Sequence, residues 1–166
     1  MKKHLLVLGM ASMLALTSCH GTKKVDFKTF SEKATEAAKA EIKVKSFKIK
    51  GKLNDKKVKA FTVDPAKAED LASLNEDQIE AMAYTVLLAS PMMIVAEFAL
   101  IPEEALEEAL KSYTFYVGSG FKVKIDDSES KTKMTLEWNK KGLLVKAKGS
   151  IDGKKTSMRV SWKLEK

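Results

Sequence analysis

The chain has 166 residues, of which 45% are hydrophobic and 31% charged; this is the length of one domain and the composition of a folded chain. A formal charge of +8 favours anionic partners such as phospholipid head groups or acidic polymers. The single Cys excludes an internal disulfide, and the only His residues, His4 and His20, lie too near the N-terminus to serve a Ser-His-Asp or Cys-His arrangement or a zinc site in the body of the chain.

The first residues read as an export leader. Lys2-Lys3-His4 is a positive start, and Leu5 to Leu16 is an apolar stretch of 12 residues, well short of the roughly 20 that span a bilayer. Leu16-Thr17-Ser18-Cys19 follows at once. This sequence resembles the lipobox of bacterial lipoproteins, although Ser18 departs from the commoner Gly or Ala. The resemblance implies cleavage between Ser18 and Cys19, a diacylglyceryl group on the Cys19 thiol and an acylated new N-terminus. The membrane, reached through these acyl chains, is thus an implied partner, and two or more chains hold a protein stably on a bilayer. The implied location is the bacterial cell envelope. In a Gram-negative cell it is the outer membrane, because His20 rather than Asp follows the Cys. The expected division is a signal peptide over 1–18, a lipidated tether over 19–25 and a single α+β domain over 26–166.

Helical spacing opens the domain. Phe27, Phe30, Ala34, Ala37 and Ala38 form a stripe at steps of three and four, which predicts a helix from Asp26 to Glu41. Period two follows. Phe47, Ile49, Gly51 and Leu53 alternate with Lys48, Lys50 and Lys52, and Asn54-Asp55 turns the chain into a second strand over Lys57 to Val63. In that strand Val58 and Ala60 compete with Phe61 and Val63 for the inner face. Ser73 with Glu76 is spaced as a capping box before an apolar run, Ile79 to Ile101, that carries no charge between Glu80 and Glu97. Pro91 should break this run in two, and the expectation is a central core hairpin of helices. Pro102 starts a last helix, with Glu103, Glu104, Glu107 and Glu108 opposing Ala105, Leu106, Ala109 and Leu110.

From Tyr113 onward the period is two. Tyr113, Phe115, Val117, Phe121, Val123 and Ile125 share a face and predict one long strand, with Gly118-Ser119-Gly120 as a bulge or bend. Met134, Leu136 and Trp138 mark the next strand. Leu143, Val145, Ala147 and Ile151 follow, then Met158, Val160, Trp162 and Leu164, with hairpin turns at Asn139 to Gly142 and at Asp152-Gly153. The predicted fold class is α+β: an N-terminal helix, a β-hairpin, a helical segment broken at Pro91 and a four-stranded antiparallel meander. Together these make one twisted sheet of about six strands packed on the helices.

Chemistry-bearing motifs are scarce. The paired glutamates near residue 105 read as a solvated acidic face, and Asp126-Asp127-Ser128-Glu129 as a polar hairpin turn. No catalytic residue, metal site or cofactor is expected. The outward positions of the meander are basic instead: Lys122, Lys124, Lys131, Lys133, Lys146, Lys148, Arg159 and Lys163. They predict a non-enzymatic envelope lipoprotein that binds an anionic envelope polymer, lipid or protein partner. Export and the lack of aromatic residues among the cations argue against nucleic acid. The alternative is a carrier or sensor of a lipid or other apolar ligand, held between the sheet and helices 79–101 in a pocket of Met82, Leu87, Met92, Met93 and Phe98.

Overall fold

The computed structural model describes residues 21–165. The signal peptide, the cleavage junction Ser18–Cys19 and the lipidation site Cys19 lie outside the described residues. The fold is α+β, as expected. Among the described residues one eight-stranded antiparallel sheet packs against five helices.

The chain enters as strand β1, Thr22–Val25, inside the stretch expected to be tether. Helix α1, Phe27–Ala38, follows, with the Asp26 carboxylate accepting from the Thr29 amide at 2.7 Å as its N-cap. That bond holds the Asp26 carboxyl below the usual carboxylate range. Strands β2, Val44–Leu53, and β3, Lys56–Val63, form the expected hairpin, closed by Asn54 and Asp55 at positive φ. A register shift between Ile49 and Gly51 resolves the competition in β3: Val58, Phe61 and Val63 are buried, and Ala60 is exposed.

Helix α2, Ala68–Ala72, is a single short turn whose C-cap is Ser73, so Ser73 does not open the apolar run. The capping box belongs to Asn75 and Gln78, whose side chains and main chains exchange two 3.0 Å bonds at the start of α3, Glu76–Leu87. Helix α4, Met92–Ala99, follows buried Pro91 and is bent 70° from α3. The pair is a cover on the sheet and not the central hairpin expected. Ile79, Val86, Leu87, Met93 and Leu100 are exposed, and no single helix among the described residues is long and apolar enough to cross a membrane. Helix α5, Glu103–Leu110, completes the layer.

The meander has five strands: β4, Tyr113–Gly118; β5, Gly120–Asp127; β6, Thr132–Asn139; β7, Leu144–Ile151; and β8, Lys154–Leu164. The expected long strand is the β4–β5 hairpin, with Val117 opposite Phe121. Gly118 is required here because Gly21 of β1's entry lies where a Cβ would stand. The sheet order is β1-β4-β5-β6-β7-β8-β2-β3, so the N-terminal hairpin adds to the far edge of the meander through β2 and β8.

The core lies between the inner sheet face and the helices. Phe30 packs on Phe115 and Phe121 with ring centroids 5.0 and 5.9 Å apart, and Phe98 packs on Phe27 and Tyr113 at 5.0 and 4.7 Å. Such pairs each add about 0.5–1.5 kcal/mol beyond area burial. Both tryptophans are structural: Trp138 Nε1 donates to the Leu88 carbonyl at 2.8 Å, and Trp162 Nε1 to the Leu144 carbonyl at 2.6 Å.

Candidate anion-binding face

The helices cover one side of the sheet, and lysine is the commonest of the strand residues that point to the other side. Strand register arranges them in rows. One row crosses the sheet through Lys24, Tyr116, Lys122, Glu137, Lys146, Arg159 and Lys50, on seven successive strands. The next holds Thr114, Lys124, Thr135, Lys148, Ser157, Lys52 and Lys57. A third, shorter row runs Asp126, Lys133, Ser150, Lys155.

Charge is poorly balanced within these rows. Glu137 reaches Lys146 at 3.7 Å, Asp126 reaches Lys133 at 3.2 Å and Asp55 reaches Lys52 at 4.0 Å. Among the described residues, Lys122, Lys124, Lys148, Arg159, Lys163 and Lys50 have no carboxylate at salt-bridge distance. Arg159 is directly opposite Lys146 on one side and Lys50 on the other, and Lys52 is directly opposite Lys57. Like charges directly opposite destabilise a sheet. A face that keeps three such pairs is suited to hold an anion that offsets them.

Two clefts open on this face. One, of about 480 Å³, lies over β2, β3 and β8 and is lined by Lys50, Lys57, Lys59 and Arg159 with Ser157 and no carboxylate. The other, of about 560 Å³, lies over the ends of β5, β6 and β7, between Thr22, Ser119, Lys122, Glu137, Val145 and Lys146. Val145 was expected inside. A β7 bulge at Val145, opposite Glu137 and Trp138, instead sets Leu144 opposite Trp138, buries Leu144 and Ala147, and turns Val145 toward the cleft.

Lys122, Lys124, Lys133, Lys146, Lys148, Arg159 and Lys163 all lie on strands of the open face. Lys131 does not. It is in the β5–β6 turn at φ +51, just before β6 starts, and its parity with Lys133 misplaced it. Reasoning missed Tyr116, which points outward between Lys122 and Lys124; their ammonium groups stand 5.6 and 5.5 Å from its ring centroid. The basic face therefore carries one aromatic ring. Lys50, Lys52 and Lys57 join the face because β2 lies beside β8, a neighbourhood that only strand order shows.

The five side chains proposed to line an apolar pocket are not brought together. Phe98 is in the core at 2% exposure, Leu87 and Met93 face outward, and Met82 and Met92 are half-buried on different helices. Of three clefts on the helix side, two are lined by Phe98, and none is lined by any of the other four. Among the described residues no three of His, Cys, Asp and Glu gather at metal-holding distance, and no buried polar side-chain atom lacks a partner. Compared with protein-family models, with curated proteins and with solved structures, the chain matches none.

Proposed function

We propose that the protein is a lipid-anchored, non-enzymatic component of the bacterial envelope that binds an anionic envelope component through its open sheet face. A phosphate-bearing polymer or an acidic protein surface would meet the chemistry of that face equally. The observation that carries the reading is the Lys146–Arg159–Lys50 ladder, three cations on three adjacent strands beside a cleft with four cations and no carboxylate. Extended rows of cations offer many weak contacts to a chain of negative charges, and salt screens such contacts within about 10 Å at 0.1 M. The lipobox resemblance of Leu16-Thr17-Ser18-Cys19 supports the anchor. The apolar-carrier alternative would require a cavity that Met82, Leu87, Met92 and Met93 do not line.

The test is binding of inorganic polyphosphate to the purified protein over a series of salt concentrations. Affinity should fall steeply with salt, and Lys122→Glu, Lys124→Glu, Lys146→Glu and Lys148→Glu in combination should abolish it. Binding that survives the four reversals, or that ignores salt, would overturn the reading.

A further inference from the structure

Three features of the fold meet at one end of the sheet, where β5 begins and β6 ends. The first is the entry of the chain: Ser119 donates its main-chain N–H to the Gly21 carbonyl, and Thr22 pairs with Gly118. The second is the bend between α3 and α4. Trp138 Nε1 donates to the Leu88 carbonyl at 2.8 Å and the Leu144 amide to the Ala89 carbonyl at 3.0 Å, which fixes the bend over the ends of β6 and β7. The third is a set of turns: the C-terminus of α1, the bend at Ser90-Pro91 and the β6–β7 turn at Lys141-Gly142 line one cleft of about 200 Å³.

Exposed apolar side chains flank the bend at this end, and exposed lysines lie on the turns beside it. Val86 is 58% exposed, Leu87 57% and Met93 41%, and no charge occurs between Glu80 and Glu97. Lys39, Lys43, Lys140 and Lys141 are exposed nearby, against Glu41 and Glu165. Carboxylates concentrate at the other end of the sheet: Glu97, Glu108, Asp127 and Glu129 surround one cleft there, and Glu80 bonds Asn54 of the β2–β3 turn. Lys56, Lys111 and Lys133 of that end are paired with carboxylates, whereas Lys39, Lys140 and Lys141 have no carboxylate at salt-bridge distance among the described residues.

We propose that the end carrying the α3–α4 bend docks on the lipid bilayer, with Val86, Leu87 and Met93 among the acyl chains and the lysines above them over head-group phosphates. The inference rests on the lipid-anchor reading, because Cys19 is two residues before Gly21 and an extended chain of that length reaches only about 7 Å. A domain held so close presents this end to the surface, where exposed apolar side chains gain by leaving water and cations gain from anionic head groups. The cleft over β2, β3 and β8 then lies away from the docked end, open to a partner.

The lipidated protein supplies its own test, since its single Cys is consumed by the anchor and an engineered Cys becomes the sole free thiol. Leu87→Cys, Leu100→Cys and Lys124→Cys, all at exposed positions, are labelled with an environment-sensitive fluorophore. They are then reconstituted in phosphatidylcholine–phosphatidylglycerol vesicles that carry nitroxides on the acyl chains. The label at Leu87→Cys should shift to the blue and be quenched several-fold, with the labels at Leu100→Cys and Lys124→Cys unaffected. Equal emission at all three sites, or quenching at Leu100→Cys alone, overturns the proposal. If the wild-type chain itself takes up label, the anchor reading fails. The docking surface is then decided by the Cys19→Ser, Leu87→Cys chain in the same vesicles: quenching upholds it, and its absence overturns it.

Discussion

Arg159 of β8 lies directly opposite Lys50 of β2, so two strands that are more than 100 residues apart in sequence meet at this row through a pair of like charges. Lys146 adds a third cation on the far side of Arg159. Folding must bring these charges together against their repulsion. The arrangement persists because β2 and β8 are held by their inner faces, where Ile49 opposes Val160 and both are buried.

The first prediction sets stability against binding. Lys50→Glu places a carboxylate opposite Arg159 and should raise the free energy of unfolding by roughly 0.2–1 kcal/mol. It should also weaken polyphosphate binding. Urea denaturation read beside the binding titration checks both, and a variant that loses stability while binding normally would contradict the account.

The bond from Trp138 to Leu88 ties β6 to the last turn of α3. Trp138→Phe leaves that carbonyl without its donor and removes part of a buried ring, at a cost of about 1–3 kcal/mol. The shift in urea midpoint measures it. The bend should also become more mobile, seen as faster amide hydrogen exchange around Leu88 and Ala89.

Much of this fold is legible in the sequence because alternation along β5, β6 and β8 is clean: Val123, Leu136, Met158 and Val160 are all buried. The errors have physical causes. Val117 and Phe121 have the same parity, so the tight turn between them leaves the period-two pattern unbroken and the β4–β5 hairpin reads as one strand. Strand β1 has only four residues and takes its register from β4, so Thr-Lys-Lys-Val carries no period of its own. The β7 bulge moves Val145 across the sheet without any glycine at that point to signal it. Lysines of the face were readable strand by strand. Their assembly into rows was not, since the order β7-β8-β2 depends on long-range pairing.

Gly51 sits within β2 at φ +136, with the Ser157 carbonyl of β8 where a Cβ would project. Gly51→Ala therefore meets both an unfavourable backbone conformation and the neighbouring strand, and should cost about 1–3 kcal/mol. Thermal unfolding gives the value. An alanine tolerated without loss would mean that the bulge beside Gly51 relaxes freely.

Tyr113 gives the structure an alkaline sensitivity. Partial burial, with the nearby Glu97 carboxylate 3.5 Å from its hydroxyl, pushes the phenol from its ordinary 10.0 up to about 12. The folded state thus holds this proton more tightly than the unfolded chain does. Its contribution is complete below pH 10 and is lost as the pH rises toward 12. Tyr113→Phe should flatten the fall in stability over that window, as followed by urea midpoints at a series of alkaline pH values. An unchanged slope would place the loss elsewhere.

The central claim is that the uncovered face of the sheet, and not the helical layer, receives an anionic partner. Two-dimensional NMR of the isotope-labelled protein titrated with polyphosphate tests it most directly. The account predicts shifts that concentrate on β5, β7, β8 and β2, strongest at Lys122, Lys146, Arg159 and Lys50, and that disappear at high salt. Shifts confined to the helices, or an unperturbed spectrum at low salt, would contradict it.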